Sequence, residues 1–314
     1  MTSLALHLSA LFAVAWLACS LLVGLAVRAF DERIESKEPR SRVRLLVAAL
    51  VGPVGVAALV VAGVAFPHPW LGLVDHCADH PGHLHLCVLH GAPTPDLLVV
   101  SIALLGATWS SGRLSLSIAQ SWGGALALRR VLGASRARGE LRVLPGPAPV
   151  AFTAGLLSPH IVVSDAVLAD APRWQAVIEH ERSHLKGRDP LVRWLAGALT
   201  AFHVPGVGAG LVARLRDAQE FAADETAAEA VGSRIQVAEA LVDWTRWSHA
   251  SRGIGFHSGP LAARVHRLLD PELQASGPSS GQLVAVAVAL VAAVSSIALP
   301  LHHTVETLLG LLPS

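Results

Sequence analysis

The sequence has few charged residues for its length. Asp, Glu, Lys and Arg make up only 15% of its 314 residues, whereas hydrophobic residues make up 53%. In soluble domains about a quarter of the residues are charged, so we expect much of this chain to lie in lipid. The net charge of +1 gives no overall basic field, and we therefore expect no direct binding of nucleic acid.

Cysteine is also scarce, and three cysteines are too few for a scaffold built on disulfides. Cys77 and Cys87 lie in a loop, residues 67–96, that also contains six histidines. This loop either is closed by a Cys77–Cys87 disulfide, which oxidising surroundings favour, or binds a metal as a sensor. No cysteine follows Cys87, so a metal site later in the chain must use histidine and carboxylate ligands.

Four apolar stretches reach the roughly 20 residues that a helix needs to cross the hydrocarbon core of a membrane. Arg113 and several serines interrupt the third stretch, and we expect the Arg113 side chain to reach the interface there. The first stretch is too long for a signal peptide and lacks a basic start, so we interpret it as a span. The four predicted spans are residues 4–27, 43–66, 97–116 and 283–301.

Lys and Arg residues predict the orientation of these spans, because cytoplasmic loops carry an excess of both. Six of them lie around the first connection, none lies in loop 67–96, and five follow the third span closely. We therefore expect the N-terminus, loop 67–96 and the short tail 302–314 outside the cell. The same alternation places residues 129–282 in the cytoplasm.

The predicted fold is a membrane α-helical protein with four spans and an inserted α+β domain. Residues 1–128 would contain the first three spans, and 129–282 is the only part long enough to bury a conventional core. Within it, the pattern of residues 150–164 is typical of two short strands joined by a turn.

Two helices follow these predicted strands. The first begins near Asp170-Ala-Pro172, with Asp170 as the N-cap and Pro172 in the first turn, and it ends near Gly187. The second covers about residues 212–231.

The first of these helices contains an HExxH motif, His180-Glu181-Arg182-Ser183-His184. Residues four apart lie on one helical face, so both imidazoles can bind one zinc ion, with Glu181 beside a water molecule. Zinc lowers the pKa of such a water to about 7, and a glutamate can accept its proton and pass it to the leaving amine of a peptide. The motif therefore predicts a zinc peptidase with Glu181 as the catalytic residue.

The second helix presents Arg216, Glu220 and Asp224 at four-residue intervals, and thus on one face. Such a series is also common as an ion-pair ladder on a solvated helix. Given the HExxH motif upstream, we expect Glu220 to be the third zinc ligand, with the fourth position left to water. Asp224 would accept the free N–H of a ligating imidazole, with Arg216 beside it on the same face.

The order of these motifs resembles that of the BlaR/MecR-like membrane metallopeptidases. The resemblance includes the strand pair, the HExxH motif with Arg188-Asp189-Pro190 after it, the helix around Glu220, and the sequence RVHRLL at 264–269. It implies a gluzincin domain between spans three and four, with zinc bound by His180, His184 and Glu220. It also implies a BlaI-type winged-helix repressor as the substrate, because those receptors cleave such a repressor, or cause its loss, on sensing a β-lactam.

The sequence departs from that family after the fourth predicted span, where only about a dozen residues remain. We therefore expect no extracellular penicillin-binding domain and no direct sensing of β-lactams. The HtpX-type quality-control proteases share similar motifs and are one alternative. Another is a non-enzymatic membrane receptor with a structural metal site, although such a site needs no general base at Glu181.

Substrate-binding residues are less clearly indicated by the sequence. Peptide substrates often add as a strand to an exposed sheet edge, so the strand around Val150 to Phe152 either binds substrate or is a plain core strand. His203 and His257 lie in the predicted domain, but a lone histidine is more often structural than catalytic, and we assign neither an oxyanion-stabilising role.

Overall fold

A computed structural model of the protein describes residues 2–65, 86, 92–251, 261–270 and 304. Within these residues, long apolar helices come first, a small sheet follows, and further helices complete the chain. The fourth predicted span, the Cys77–Cys87 pair, His257 and nearly all of the tail lie outside the described residues. The elements, in chain order, are α1 Thr2–Ala29, α2 Asp31–Glu35, α3 Pro39–Ala65, α4 Leu97–Ala134, β1 Arg136–Arg138, β2 Leu141–Leu144, β3 Ala151–Ala154, β4 His160–Ser164, α5 Asp165–Ala169, α6 Ala171–Gly187, α7 Asp189–Leu199, α8 Val207–Val231, α9 Arg234–Ser251 and α10 Leu261–Leu269.

Three helices, α1, α3 and α4, are long and apolar enough to cross a membrane. They cover the described residues of the first three predicted spans. Helix α3 has its last charged residue at Arg44, and the roughly 20 residues that follow would be about 30 Å long, the thickness of the hydrocarbon core. The polar end of α3 is therefore confined to its first turns.

Helix α4 is much longer than the predicted third span, which covers residues 97–116. It continues to Ala134 and contains 38 residues, because the sequence after Arg113 offers neither a proline nor another charge before Arg129. Arg113 itself donates a hydrogen bond to Thr200 Oγ1 at 2.9 Å. At 1.5 Å per residue the helix is about 57 Å long, well above the roughly 30 Å thickness of a hydrocarbon core.

The sheet has the strand order β1-β2-β4-β3. Strands β3 and β4 form the antiparallel pair predicted from the sequence, with Ala151 opposite Val163 and Ala154 opposite His160. Gly155 begins their connection at φ 113°, where an added Cβ would lie 2.5 Å from the Ser158 carbonyl oxygen. Strands β1 and β2 were not predicted, since β1 has only three residues, all exposed, and shows no apolar alternation.

Helix α6 packs against α8 and against the sheet. The core between them contains strand residues such as Val143 and Val163 and, on α6, Val177. Trp174 on α6 meets Trp244 on α9 edge to face, with 5.3 Å between ring centroids. Helix α6 lies where the sequence predicts it, whereas α8 begins five residues before the predicted start at Val212.

Asp170 lies at the N-cap position of α6, as predicted. Its side chain, however, makes no capping hydrogen bond. Its backbone, at φ −125° and ψ 53°, is not in the extended conformation of a usual N-cap, which the side chain needs in order to accept from the first turn. Pro172 lies in the first turn, as predicted.

The connection between α7 and α8 lies among the three apolar helices. His203 donates to the Leu50 carbonyl on α3 at 3.1 Å and faces Ser20 Oγ on α1 at 3.2 Å. The Val204 amide donates to the same Ser20 oxygen at 2.9 Å, and Phe202 packs edge to face on Phe12. His203 therefore joins the domain to the apolar helices, as a structural histidine would.

Candidate metal centre

His180, His184 and Glu220 converge where α6 crosses α8. The two imidazole Nε2 atoms are 3.0 Å apart, and the Glu220 carboxylate lies 3.4 Å from Nε2 of His180 and 3.5 Å from Nε2 of His184. Zinc bonds of 2.0–2.1 Å in tetrahedral geometry require ligand atoms about 3.3 Å apart. All three residues are buried, and the spacing of their ligand atoms fits one zinc ion.

Both imidazoles are oriented by a carboxylate on the side opposite the shared centre. His180 Nδ1 lies 2.8 Å from Asp224 Oδ1, and His184 Nδ1 lies 2.6 Å from Asp189 Oδ2. A carboxylate in this position holds the proton on Nδ1, which leaves the Nε2 lone pair for a metal. The site therefore has the donor chemistry of a His₂Glu zinc site, with both tautomers fixed.

The structure brings Asp224 to His180 and Asp189 to His184, and Asp189 was not singled out from the sequence. The Arg188-Asp189-Pro190 sequence contributed only to the family resemblance. The contact of Asp189 with His184 depends on the turn between α6 and α7. Arg188 adopts a left-handed conformation there, at φ 51°, and the turn directs the start of α7 back towards His184. Nothing in the spacing of the sequence specifies this reversal.

Arginines from two other helices surround the carboxylates. Arg193 on α7 donates to Glu220 Oε1 at 2.8 Å, and Arg264 on α10 donates twice to Asp224, at 2.7 and 2.6 Å. Arg264 is also 3.4 Å from Glu220 Oε2, and it is only 2% exposed. These contacts compensate the negative charge that Glu220 and Asp224 place in the interior.

Arg216 was predicted to accompany Glu220 and Asp224, but the structure places it on the surface of α8. Arg216 is exposed and lines a separate cavity between α4, α7 and α8, together with Arg113. Each four-residue step turns a helix by about 40°, so Arg216 and Asp224 differ by about 80° in direction. Arg193 and Arg264 occupy the position beside the carboxylates instead.

Burial and pairing set the protonation of the metal-free cluster. Burial lowers the pKa of His180, but hydrogen bonds to Asp224 and Glu220 outweigh this effect and raise it to about 9. Burial raises the pKa of the Glu220 carboxyl, but His180, His184 and Arg264 hold it well below its usual value. The pKa of Asp224 is likewise lowered, since Arg264 and His180 outweigh its burial. In the absence of a metal, His180 is therefore in its cationic form, with a proton on each ring nitrogen.

Glu181 is buried beside this cluster and is 4% exposed. Its backbone carbonyl accepts a hydrogen bond from Thr153 Oγ1 at 2.8 Å, which ties β3 to the HExxH helix. In the described part of the chain, β3 pairs on one side only, with β4. β3 is therefore an edge strand of the described sheet, and Thr153 joins it to the HExxH helix at Glu181.

Comparison with known proteins identifies the family. Residues 125–287 match the model of peptidase family M48, a little over half of the chain, and this region includes all the metal-site residues. No curated protein and no solved structure matches the chain. The members of this family are zinc metallopeptidases, and the His180, His184 and Glu220 cluster has the ligands that such an enzyme needs. The chain belongs to peptidase family M48.

Proposed function

We propose that the protein is an integral membrane zinc endopeptidase whose catalytic domain faces the cytoplasm. The observation that carries this proposal is the meeting of two Nε2 atoms and a carboxylate within 3.5 Å, with each Nδ1 held by a carboxylate. Three helices of membrane-spanning length precede the domain. The distribution of Lys and Arg supports a cytoplasmic location.

Different residues of the site would bind the metal, transfer the proton and orient the peptide during hydrolysis. His180, His184 and Glu220 would hold Zn²⁺, which when bound supplies a Lewis acid that polarises the scissile carbonyl and acidifies water. Glu181 accepts a proton from the attacking water and delivers it to the leaving amine. The free edge of β3 orients the peptide as an added strand beside Glu181.

For the substrate, we propose a cytoplasmic regulator such as a BlaI-type repressor. The support is the shared order of motifs with the BlaR/MecR-like enzymes, from the HExxH helix to the 264–269 sequence. An HtpX-type role in membrane-protein quality control is the alternative, and the M48 match favours it equally. A receptor with a structural metal site is a further alternative, but it leaves the buried Glu181 without a role.

The Glu181→Gln variant tests the peptidase proposal. Removal of the general base should reduce cleavage at least about a hundredfold, while zinc content stays at one ion per chain because the three ligands remain. A suitable control is Glu179→Gln on the same helix, since Glu179 pairs with Arg182 and not with the metal cluster.

Cells that produce either variant or the wild type would be compared by quantitative proteomics, and candidate substrates would then be incubated with the purified chains. A repressor that accumulates only with Glu181→Gln identifies a regulatory protease, whereas accumulation of many membrane proteins indicates quality control. Identical processing by wild type and Glu181→Gln would refute the peptidase proposal.

A further inference from the structure

A cavity of about 460 Å³ lies between α3, α6, α7 and α8, on the side of the HExxH helix away from β3. Its lining combines an apolar floor with a basic rim. The floor contains Val43, Val47 and Val192, and the rim contains Arg40, Arg44 and Lys186.

The cavity lies at the boundary between the polar and apolar parts of α3. Arg40 and Arg44 are in its first two turns, and no charged residue follows before the helix ends at Ala65. Arg44, Ala48 and Val51 are exposed, and at intervals of four and three residues they form one face. Because Arg44 belongs to both this face and the rim, the cavity adjoins the exposed face of a helix that is long and apolar enough to span a membrane.

The basic rim has more positive charge than its neighbours neutralise. Arg40 donates to Thr226 Oγ1 at 3.2 Å and lies 3.6 Å from the Glu229 carboxylate. Arg44 and Lys186 have no ion-pair partner in the described parts of the chain. The acidic residue of the lining is Asp189, whose carboxylate is already bound to His184 and Gln219.

We propose that this cavity binds an anionic phospholipid. Its headgroup phosphate contacts Arg44 and Lys186, and the first part of an acyl chain covers Val43, Val47 and Val192. Basic pockets beside membrane helices recognise anionic headgroups in this way. The apolar floor favours a lipid over free phosphate, because only a lipid brings a hydrocarbon chain to remove that floor from water.

The test uses the full chain in the Glu181→Gln background, so that its outcome does not depend on peptidase activity. The protein is placed in nanodiscs of phosphatidylcholine with a small fraction of phosphatidylglycerol, and the lipid retained on the released protein is measured by native mass spectrometry. The test variant is Arg44→Gln with Lys186→Gln. The control is Arg28→Gln with Arg33→Gln, which removes two charges at the end of α1 and in α2, outside the cavity.

We expect each neutralised rim cation to weaken retention of phosphatidylglycerol about fivefold, so that the double variant loses about 25-fold. The control pair should change retention less than twofold. Equal losses in the test and control pairs would show a general surface effect and overturn the proposal.

Two further measurements distinguish a bound lipid from a bound free phosphate. Ala222→Leu enlarges a side chain of the lining without changing a charge, and it should also reduce retention, with its thermal unfolding showing that the fold is kept. Glycerol phosphate is offered as a soluble competitor. If it binds the wild type as tightly as the lipid does, the site is a free-phosphate site and the lipid proposal is wrong.

Discussion

The two carboxylates behind the histidines are the residues whose roles the structure defines most clearly. We predict that Asp189→Asn weakens zinc binding about 10- to 100-fold, because an amide does not favour the Nδ1–H tautomer of His184 as a carboxylate does. Competition with a chromophoric chelator measures the change. Asp165→Asn is the matched control, since Asp165 pairs with Arg136 far from the metal cluster. Equal zinc affinity in both variants would contradict the assignment.

The sequence predicts the site residues that are related by spacing along one helix, and it misses the arginines that other helices contribute. His180 and His184 share a face by their spacing, and the HExxH motif makes Glu220 the expected third ligand. The contacts of Arg193 with Glu220, and of Arg264 with Asp224, join residues 27 and 40 positions apart. No periodicity encodes such a contact, so the sequence favours Arg216, which shares the helix of the carboxylates.

Among the elements, α10 is short, with nine residues, but it contributes a buried arginine to the metal centre. Its Arg264 contacts two buried carboxylates, those of Asp224 and Glu220. Arg264→Gln would remove the positive charge that offsets their negative charge. Removal of one member of a buried ion pair costs about 3–5 kcal/mol. We expect a loss of this size in the unfolding free energy of the metal-free protein.

Arg173→Gln provides the comparison for that measurement. Arg173 also forms an ion pair, with Asp243 at 2.8 Å, but both side chains are substantially exposed. Exposed pairs contribute about 0–1 kcal/mol. Denaturant unfolding of both variants in the same lipid environment should therefore separate them clearly, and a loss below about 1 kcal/mol for Arg264→Gln would show that α10 is not needed to hold α8.

The β3–β4 connection is the second element with a direct bearing on the site. An alanine at Gly155 would place its Cβ against the Ser158 carbonyl oxygen at φ 113°, a conformation that residues with a side chain rarely adopt. We predict that Gly155→Ala displaces β3 and lowers cleavage more than it lowers zinc content, because in the proposed mechanism β3 binds the substrate, and no residue of β3 belongs to the His180, His184 and Glu220 cluster. Gly197→Ala on α7 is the control, since a Cβ there meets nothing within 4 Å.

In the whole molecule, the apolar helices and the catalytic domain share one packed core. Leu46 and Leu50 of α3 pack with Leu211 and Leu215 of α8, the helix that carries Glu220 further along. Hydropathy predicts the first three spans but not this contact, because an apolar residue in a span has the same pattern whether it faces lipid or protein. The sequence thus predicts the two parts separately, and only the structure shows how they are joined.

This shared core predicts that a substitution within a span reaches the metal site. Leu50 is 1% exposed, and Leu50→Ala should destabilise the protein by about 2–5 kcal/mol through the cavity that it leaves. Leu22→Ala in α1 is the matched control, because Leu22 is 66% exposed and its truncation leaves no buried cavity. Since α8 carries both Leu215 and Glu220, loosening of its packing should also speed the loss of zinc to a chelator in nanodiscs. If Leu50→Ala unfolds and releases zinc like Leu22→Ala, the domain is stable without its contact to α3, and the membrane helices serve only as an anchor.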